Sequence, residues 1–515
     1  MRAMALRAAL LFSALLGPSL AEAGAQGRPE FRLQYLAVHG RRQDTVQVDV
    51  DGDGKLDLLN TSIDFDANPP ERWVAIHRNR NGRFPDVPDH LLAISDRAGA
   101  LLFGDYLPGG GAEIGFLAED GVWLYPWVND APSETPVKLL HVRTFFRSPS
   151  VRQLSGWSWR LDFDGNGKDD LLVPLADGYR VYFQTAPGVF GKTATLEADL
   201  PSGEARSVAS SAYAERPEVA AAQFIAVSEL PRLEVADVNG DGLLDFLLIR
   251  GDAITYYFQK EPGIFPSQRP YRVTHAIPTL REEAKKDTVN LSQIRFVDLN
   301  RDGMADLVVT RIEGTLGLWD SIRTSVYLHL GTGRGNFSAD RRILIDGVSI
   351  DPEFVDMNGD GALDAVTSRL RTDLMKKAVE AFILGDIAIS YEIFQFDPAK
   401  NVFLADPVYE KRILVSKDDL QKTGAGAVPL VFIRGDFSGD GRPDLLVMDP
   451  KTTELLIHPG RLQGGRIDFD GTAHWRIKVE RMPKGLAVAD VNGDGISDVM
   501  LHHAGMVGLV LSERR

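Results

Sequence analysis

The chain has 515 residues, of which 44% are hydrophobic and 25% charged, a composition typical of globular proteins. Its formal net charge is −15, and it has no basic patch with interleaved aromatic residues, which argues against nucleic acid as a partner. It contains no cysteine, which excludes a disulfide framework and a lipid-modified cysteine after a leader segment.

Residues 1–23 are predicted to be a secretory signal peptide. Arg2 and Arg7 precede an apolar stretch from Ala8 to Leu16. Ala21-Glu22-Ala23 then offers a cleavage site with a small residue at each end. The apolar stretch is too short to cross a bilayer, and no other segment is long enough to do so. We therefore expect a secreted or periplasmic protein without a transmembrane segment.

A nine-residue pattern with oxygen-bearing side chains at its first, third, fifth and ninth places occurs seven times in the chain. We call these segments the aspartate loops and name each by its first residue. The residues at the four places are Asp49, Asp51, Asp53 and Asp57; Asp162, Asp164, Asn166 and Asp170; Asp237, Asn239, Asp241 and Asp245; Asp298, Asn300, Asp302 and Asp306; Asp356, Asn358, Asp360 and Asp364; Asp436, Ser438, Asp440 and Asp444; and Asp490, Asn492, Asp494 and Asp498.

The side chains at these places predict calcium. Four hard oxygen donors on one tight loop are typical of calcium sites, and the seventh place varies freely, as expected if only its carbonyl reaches the metal. The sixth place always holds glycine, where a sharp turn requires positive φ. The ligand places hold 22 aspartates, and seven Ca²⁺ ions would carry +14 and bring the net charge from −15 to about −1. One such loop could be an ordinary turn without metal, but seven uncompensated carboxylate clusters would repel themselves. We therefore expect about seven Ca²⁺ sites.

The flanks of the loops distinguish them from EF-hands. An EF-hand requires a bidentate glutamate at its twelfth place and a helix on each side. The twelfth residues here include Asn60 and Val173, and none of the seven is a glutamate. The flanking segments, such as Val46 to Val48 and Leu307 to Val309, are short β-rich runs bounded by turns. EF-hand pairs are therefore excluded.

The spacing of the loops predicts a repeated unit of about 60 residues. The interval between the Asp49 and Asp162 loops is nearly double the typical interval, and the segment from Asp105 to Glu113 lies in its middle. This segment keeps carboxylates at the first and ninth places but has Leu107 and Gly109 where donors belong. We interpret it as an eighth repeat that has lost its metal.

Five repeats carry a second feature, a Gly-x-Phe sequence or a close variant after a polar turn. These segments are Asn81-Gly82-Arg83-Phe84, Pro187-Gly188-Val189-Phe190, Pro262-Gly263-Ile264-Phe265, Gly335-Asn336-Phe337 and Asn401-Val402-Phe403. Together with the aspartate loops they resemble the FG-GAP/VCBS repeats, the calcium-loop β-propeller family of integrin α subunits, and most closely its exported bacterial type. The resemblance covers residues 31 to 515. It implies four-stranded antiparallel blades, calcium in the hairpin joining the first two strands, and ligand recognition on the opposite face of the disc.

Repeats of about 60 residues with four short strands also favour a β-propeller on physical grounds. We predict an all-β fold over residues 31–515 with eight four-stranded blades. Seven blades, with residues 85–150 as an insertion, are the alternative. The last repeat stops after Val507 to Leu511, its third strand, and the segment from Pro29 to Leu36 can supply a fourth. Closure of the ring by this N-terminal strand would leave no long open sheet edge.

Two repeats are longer than the others. The stretch near 192–232 is rich in alanine, serine and glutamate and is predicted to form a surface loop. The stretch near 372–388 has a helical pattern, with Met375, Val379 and Phe382 on one face and Gly385 at its end. Such a helix can lie on its own propeller or dock to a partner or a membrane.

These features predict an exported calcium-binding β-propeller that acts as a monomeric binding or scaffold module for a protein or carbohydrate ligand. Calcium is expected to be structural. The chain has no His-Glu-x-x-His, Gly-x-Ser-x-Gly or phosphate-loop motif, so we predict no catalytic residues and no enzyme activity. The alternative is a lyase-like enzyme that acts on polysaccharide.

Overall fold

The computed structural model describes residues 28–146, 152–157, 160–198, 205–206, 225–226, 230–250, 253–265, 271–274, 288–315, 318–338, 341–346, 348–349, 352–370, 387–415, 431–449 and 451–513. All regular elements in these ranges are β-strands, which confirms the predicted all-β class. No helix within these ranges is long and apolar enough to cross a membrane.

The described strands form eight large sheets, which we number in chain order. Sheet 1 contains β2 (Arg41–Val48), β3 (Asp57–Asp64), β4 (Glu71–His77) and β5 (His90–Ala93); sheet 2 contains β6 (Ala100–Gly104), β7 (Glu113–Ala118), β8 (Gly121–Tyr125) and β11 (Val137–Leu140); sheet 3 contains β12 (Arg160–Leu161), β13 (Asp170–Leu175), β14 (Gly178–Ala186) and β15 (Val189–Glu197); sheet 4 contains β18 (Arg232–Ala236), β19 (Asp245–Arg250), β20 (Ala253–Tyr257) and β21 (Tyr271–Thr274).

The remaining four sheets follow the same plan. Sheet 5 contains β22 (Thr288–Val297), β23 (Asp306–Thr315), β24 (Leu318–His329) and β27 (Arg341–Asp346); sheet 6 contains β28 (Val348–Ser349), β29 (Glu353–Val355), β30 (Asp364–Leu370), β31 (Ile387–Phe394) and β34 (Tyr409–Val415); sheet 7 contains β35 (Val431–Gly435), β36 (Asp444–Asp449), β37 (Glu454–His458) and β40 (Trp475–Lys478); sheet 8 contains β41 (Gly485–Ala489), β42 (Asp498–His502), β43 (Met506–Glu513) and β1 (Glu30–Ala37).

Five two-stranded ribbons accompany these sheets. They are β9 (Trp127–Val128) with β10 (Ala131–Pro132), β16 (Ala205–Arg206) with β17 (Ile225–Ala226), β25 (Gly331–Gly333) with β26 (Asn336–Phe337), β32 (Phe396–Asp397) with β33 (Val402–Phe403), and β38 (Gly460–Gln463) with β39 (Arg466–Phe469).

Each sheet is antiparallel, and an eight-residue connection leads into its second strand; in sheet 6, β28 and β29 both pair with β30 and together take the place of the first strand. In sheet 1, for example, β2 ends at Val48 and β3 begins at Asp57. Seven of these connections are the first eight residues of the aspartate loops, and the ninth residue begins the second strand each time. The loops therefore lie at the same end of every sheet that carries one.

The core consists of apolar clusters between consecutive sheets, because the second strands begin with apolar residues that point to both faces of the sheet, as Leu58 and Leu59 do. Leu59 of sheet 1 packs in one cluster with Ile114 of sheet 2, whereas its neighbour Leu58 packs in another with Met500 of sheet 8. Similar clusters join sheets 2 to 3, 3 to 4, 4 to 5, 5 to 6, 6 to 7 and 7 to 8.

The phenylalanines of the Gly-x-Phe segments belong to these clusters. Phe265 of sheet 4 packs in the cluster that sheet 4 shares with sheet 3, and Phe337 of sheet 5 packs in the cluster shared with sheet 4. Phe84 of sheet 1 packs against Val491 and Leu509 of sheet 8. Each of these aromatic side chains therefore fills the interface with the preceding sheet.

The two ends of the chain meet in sheet 8. Strand β1 pairs antiparallel with β43 over its whole length, from Glu30 opposite Glu513 to Ala37 opposite Met506. The N-terminal segment therefore supplies the fourth strand of the last sheet, as the sequence predicted. Leu36 of β1 is fully buried in the cluster between sheets 8 and 1.

The two predicted insertions lie mostly outside the described residues. Strand β15 extends through Glu197, so residues 192–197 belong to sheet 3 and not to the loop predicted near 192–232. Most of the rest of that stretch, and residues 371–386 with the predicted helix, lie outside the described ranges.

Candidate metal centres

The first aspartate of each loop shapes the turn. In the Asp49 loop its Oδ1 accepts a hydrogen bond from the Gly52 N–H at 2.7 Å, and its Oδ2 accepts one from the Gly54 N–H at 2.8 Å. Gly54 has a φ of 84°, in the left-handed region that favours glycine, as the sequence predicted. The fourth place is left-handed too, and in the Asp298 loop Arg301 adopts this conformation with a φ of 55°. The left-handed conformation at the fourth place was not predicted from the sequence.

The ninth aspartate is the most buried of the four predicted ligands in each loop. In the Asp237 loop, Asp245 is fully buried, its Oδ2 accepts the Val238 N–H at 3.2 Å, and its Oδ1 accepts the Gln259 N–H at 2.9 Å. The ninth carboxylate therefore joins the start of the loop to the end of the third strand. The same pair of contacts recurs at Asp57, Asp170, Asp306, Asp364, Asp444 and Asp498.

Burial changes the acidity of these ninth carboxylates. Loss of hydration raises their pKa above the ordinary value, and the neighbouring loop carboxylates raise it further at most of the sites. The pKa is raised to about 6 for Asp57, Asp306 and Asp444, and to about 7 for Asp170, Asp245, Asp364 and Asp498. A divalent cation would offset the cost of holding these charges in a buried position.

Two loops gather three carboxylates closely enough for one ion. Asp49, Asp51 and Asp57 place one oxygen each within 4.8 Å of one another, and Asp162, Asp164 and Asp170 do the same. The predicted donors at the fifth place are not part of these groups. The Asp53 carboxylate pairs with the Lys55 ammonium at 2.8 Å, and the Asn166 amide donates to the Gln184 carbonyl oxygen at 2.9 Å.

The other five loops have an amide or a hydroxyl at the third place. In three of the four loops where it is asparagine, its amide contacts the carboxylate at the fifth place, as Asn239 does with Asp241 at 2.9 Å, whereas the Asn492 amide donates to the Ser512 carbonyl oxygen at 2.7 Å. The equivalent pairs are Asn300 with Asp302 and Asn358 with Asp360. In the Asp436 loop, the Ser438 hydroxyl lies 3.3 Å from Asp436 and 3.4 Å from Asp444. These loops therefore hold their predicted donors near one another with fewer carboxylates.

Three residues contact the loop carboxylates in a way that was not predicted from the sequence. Lys55 and Arg78 place cations near the Asp49 loop, the only one with four aspartates, and the Arg78 Nε lies 3.8 Å from Asp51. Ser512, in the last strand of sheet 8, places its hydroxyl 2.9 Å from Asp498 and 3.1 Å from Asp494. No motif marks Ser512, because it contacts the Asp490 loop only through the pairing of the strands.

The loops of neighbouring sheets contact one another through their backbones. The Ala305 N–H, in the Asp298 loop, donates to the Asp237 carbonyl oxygen at 2.7 Å, and the Ser497 N–H, in the Asp490 loop, donates to the Asp436 carbonyl oxygen at 2.8 Å. The segment that lacks donors takes part as well, because the Ala112 N–H donates to the Asp49 carbonyl oxygen at 2.7 Å. Backbone hydrogen bonds therefore connect these loops to the segments that lead into the second strands of neighbouring sheets.

The chemistry of the donors fits a hard divalent cation. The seven loops offer carboxylate, amide and hydroxyl oxygens and no sulfur or imidazole, the ligand set that calcium prefers. Each carboxylate oxygen that accepts one backbone hydrogen bond keeps a further lone pair for a metal. The loops thus fit the ion that the sequence predicted.

These raised pKa values make the stability of the folded chain depend on pH, and the direction of this dependence differs with and without calcium. A carboxyl whose folded pKa is raised to 6 or 7, from an ordinary value of 3.8, binds more protons in the folded than in the unfolded state between these values. In EDTA, stability should therefore rise as the pH falls from 8 to 6.5. With calcium in excess it should stay level or fall, because protons compete with the ion. Melting temperatures at both pH values, with and without EDTA, test this.

The histidines of sheet 8 set the lower end of this pH range. Burial lowers the pKa of His502 to about 3 and that of His503 to about 4. Their protonation in the unfolded state opposes folding only as the pH falls below their ordinary value of 6.5. A melting temperature in EDTA that drops between pH 8 and 6.5 would contradict the assignment of the raised pKa values to the ninth carboxylates.

Three stretches of the chain match the FG-GAP-like repeat family. They are residues 237–309, 298–367 and 436–501, and each includes two aspartate loops. No curated protein shows significant similarity to the chain.

Solved structures that match the chain have low sequence identity and low TM-scores. An Agrocybe aegerita lectin that recognises non-reducing terminal N-acetylglucosamine is 15% identical, with 85% of this chain and 92% of the lectin covered and a TM-score of 0.39. BBS1N in complex with ARL6DN is 10% identical, with 86% and 95% covered and a TM-score of 0.30. The Photorhabdus luminescens Tc holotoxin pore is 12% identical, with 82% and 20% covered and a TM-score of 0.25. With TM-scores below 0.5, these likenesses carry no argument about function.

Proposed function

Because the chain is an FG-GAP repeat protein, we propose that it is an exported, monomeric, calcium-stabilised β-propeller that acts as a binding or scaffold module. In this proposal calcium is structural, and the ligand is a protein or a glycan that the module binds without transforming it. The observation that carries the proposal is the recurrence of one loop geometry in seven sheets, each with a buried ninth carboxylate that joins two strands.

We propose that the eight sheets are the blades of a closed ring. Support comes from the apolar clusters, which join every consecutive pair of sheets and also join sheet 8 to sheet 1. Further support comes from the pairing of β1 with β43, which puts both ends of the chain in one sheet. A ring of this kind has no unpaired terminal blade whose apolar face would be left in water.

Calcium would stabilise the interfaces between blades as well as its own hairpins in this proposal. The loop backbones donate to one another across neighbouring sheets, for example from Ala305 to Asp237. An ion that fixes Asp237 would therefore also fix the segment that leads into β23 of sheet 5. Calcium binding would in this way replace the covalent cross-links that a chain without cysteine lacks.

The ligand surface is proposed at the end of the sheets opposite the aspartate loops. At the loop end, the connections between first and second strands are uniformly eight residues long, and those between third and fourth strands vary in length. Several connections at the other end are long. They include residues 198–231, 275–287, 371–386 and 416–430, which connect β15 to β18, β21 to β22, β30 to β31 and β34 to β35. Long connections displayed on a rigid scaffold are where binding residues concentrate.

A glycan array probed with the purified chain, in calcium and in EDTA, tests the binding role. The proposal predicts saturable binding in calcium, with hydrogen-exchange protection by the bound glycan at the end opposite the aspartate loops. If the ligand is a protein, hydrogen exchange of the chain would be compared before and after it is cross-linked to that purified partner. Turnover of a pectic or uronic glycan would contradict the proposal and favour the lyase alternative. Protection confined to the aspartate loops would contradict the assigned face.

A further inference from the structure

One position at the end of the third strand meets every aspartate loop. Its backbone N–H donates to the ninth carboxylate, as Gln184 does to Asp170 at 2.8 Å and Gln259 does to Asp245 at 2.9 Å. In these two sheets the side-chain amide donates both to its own loop, at the Leu244 or Asp169 carbonyl oxygen, and to the preceding sheet. Gln259 Nε2 donates to the Phe163 carbonyl oxygen of sheet 3 at 3.1 Å, and Gln184 Nε2 donates to the Asp105 carbonyl oxygen of sheet 2 at 2.8 Å.

The other sheets vary at this position. Asn79 of sheet 1 behaves like the glutamines, since its Nδ2 contacts the Val491 carbonyl oxygen of sheet 8 at 3.3 Å. Gly331, Phe396 and Gly460, in sheets 5, 6 and 7, have no polar side chain to contribute. The residue in sheet 8 is Ser512, whose side chain is too short to reach another sheet.

Ser512 directs all its polar groups at its own loop. Its N–H donates to Asp498 Oδ1 at 2.6 Å, and its carbonyl oxygen accepts a hydrogen bond from Asn492 Nδ2 at 2.7 Å. Its hydroxyl oxygen lies 2.9 Å from Asp498 Oδ1 and 3.1 Å from each oxygen of Asp494. The side chain is almost fully buried. Ser512 therefore contacts the third, fifth and ninth residues of the Asp490 loop at once.

The Asp490 loop lies where the ends of the chain meet. Ser512 is opposite Phe31 in the pairing of β43 with β1, and the Phe31 ring packs edge-on against Trp475 of sheet 7 with centroids 5.7 Å apart. Sheet 1 reaches the other side of the loop, where a Cβ on Gly82 would lie 3.2 Å from the Asn492 Cβ. Displacement of this loop would therefore disturb the contacts of both terminal sheets.

We propose that Ser512 is a positioning residue of the cation site in the Asp490 loop, and that a bound ion there holds the N-terminal strand β1 in register with β43. The inference rests on the proposed calcium role. The hydroxyl lies within hydrogen-bond distance of the Asp494 and Asp498 carboxylates and can donate its one proton to either, which keeps the two groups adjacent, and a bound ion would offset their mutual repulsion. Without the ion, that repulsion acts on the segment of β43 that pairs with β1.

Calcium titration and hydrogen exchange of the full chain test this inference, using Ser512→Ala and Ser325→Ala beside the parent protein. Ser325 is a matched control because it is fully buried in sheet 5, far along the chain from the Asp490 loop. Ser512→Ala should weaken one of the calcium sites about tenfold, the usual cost of losing a residue that orients a ligand. At calcium levels that half-fill this site, exchange of the amides of residues 30–37 should increase about tenfold while sheet 5 is unchanged. Ser325→Ala should change neither result.

The outcomes separate this inference from the proposed function. A parent protein that takes up calcium, together with a Ser512→Ala variant of identical titration, would overturn the inference and leave the calcium role intact. Exchange in β1 that does not respond to calcium would overturn it too. A parent protein that takes up no calcium would overturn both.

Discussion

Excess EDTA should lower the melting temperature of the chain by about 20 °C, and returning calcium in excess should restore it. Each site stabilises the folded state by RT ln(1 + [Ca²⁺]/Kd), which is about 2.7 kcal/mol when calcium is a hundred times Kd. Seven such sites add about 19 kcal/mol. In a chain of this size, 1 kcal/mol shifts the melting temperature by about 1 °C, because the entropy of unfolding grows with length.

Two controls make the EDTA experiment specific. Magnesium at the same concentration should restore little stability, since Mg²⁺ demands a small octahedral site and dehydrates reluctantly. Sodium chloride at matched ionic strength should also restore little, because screening alone does not coordinate buried carboxylates. An unchanged melting curve in EDTA would mean that the loops hold their shape by backbone hydrogen bonds alone, and would contradict structural calcium.

Gly111→Ala should destabilise the folded chain by about 4 kcal/mol. The φ of Gly111 is 94°, and an alanine Cβ there would lie 2.6 Å from the Val50 carbonyl oxygen and 2.9 Å from the Gly52 nitrogen. Both contacts are with backbone of the Asp49 loop, which cannot rotate away as a side chain can. Overpacking costs about 1–3 kcal/mol and a left-handed alanine about 1–2 kcal/mol.

Gly110→Ala is the matched control for Gly111→Ala. Gly110 has a φ of 72° and nothing within 4 Å of an added Cβ, so only the backbone term of about 1 kcal/mol applies. Urea unfolding of both variants in saturating calcium measures the difference. Equal midpoints for the two variants would show that the segment from Asp105 to Ala112 does not pack against the Asp49 loop as described.

The sequence predicted the position and chemistry of the loops more fully than their internal contacts. Calcium-type donors such as Asp237 and Asp245 are recognisable because their spacing is local. Asp245 also accepts the Gln259 N–H, and this contact depends on where the third strand ends in space. The sequence analysis therefore assigned the ninth aspartates as ligands but missed that each also joins two strands. Arg301 in a left-handed conformation was missed for a related reason, since only the glycines at that place suggest it.

In the segment from Asp105 to Glu113, the sequence indicates that the metal ligands are lost but does not show why glycines stand there. Leu107 and Gly109 stand where donors belong, which predicted a repeat without metal. Gly111 has a second role that no ligand pattern contains. It lets the segment approach the backbone of the Asp49 loop at a distance that no side chain would allow. Packing between sheets imposes this constraint, and one repeat considered alone does not reveal it.

The pairing of the two ends of the chain could be predicted because a repeat that lacks one strand can be recognised in the sequence. The last repeat has only three strands, and Phe31 and Leu33 near the N-terminus have the alternating apolar pattern of a fourth. The contacts of Ser512 could not be predicted in the same way. They depend on the register of β43 against its own loop, and a shift of one residue would point this side chain to the other face of the sheet.

A crystal structure of the chain grown in excess calcium, with anomalous scattering data collected at long wavelength, tests the central claim most directly. Seven anomalous peaks are expected, one in each aspartate loop, with no peak between Asp105 and Glu113. Aspartate loops without peaks would contradict the proposal that calcium holds these sheets together.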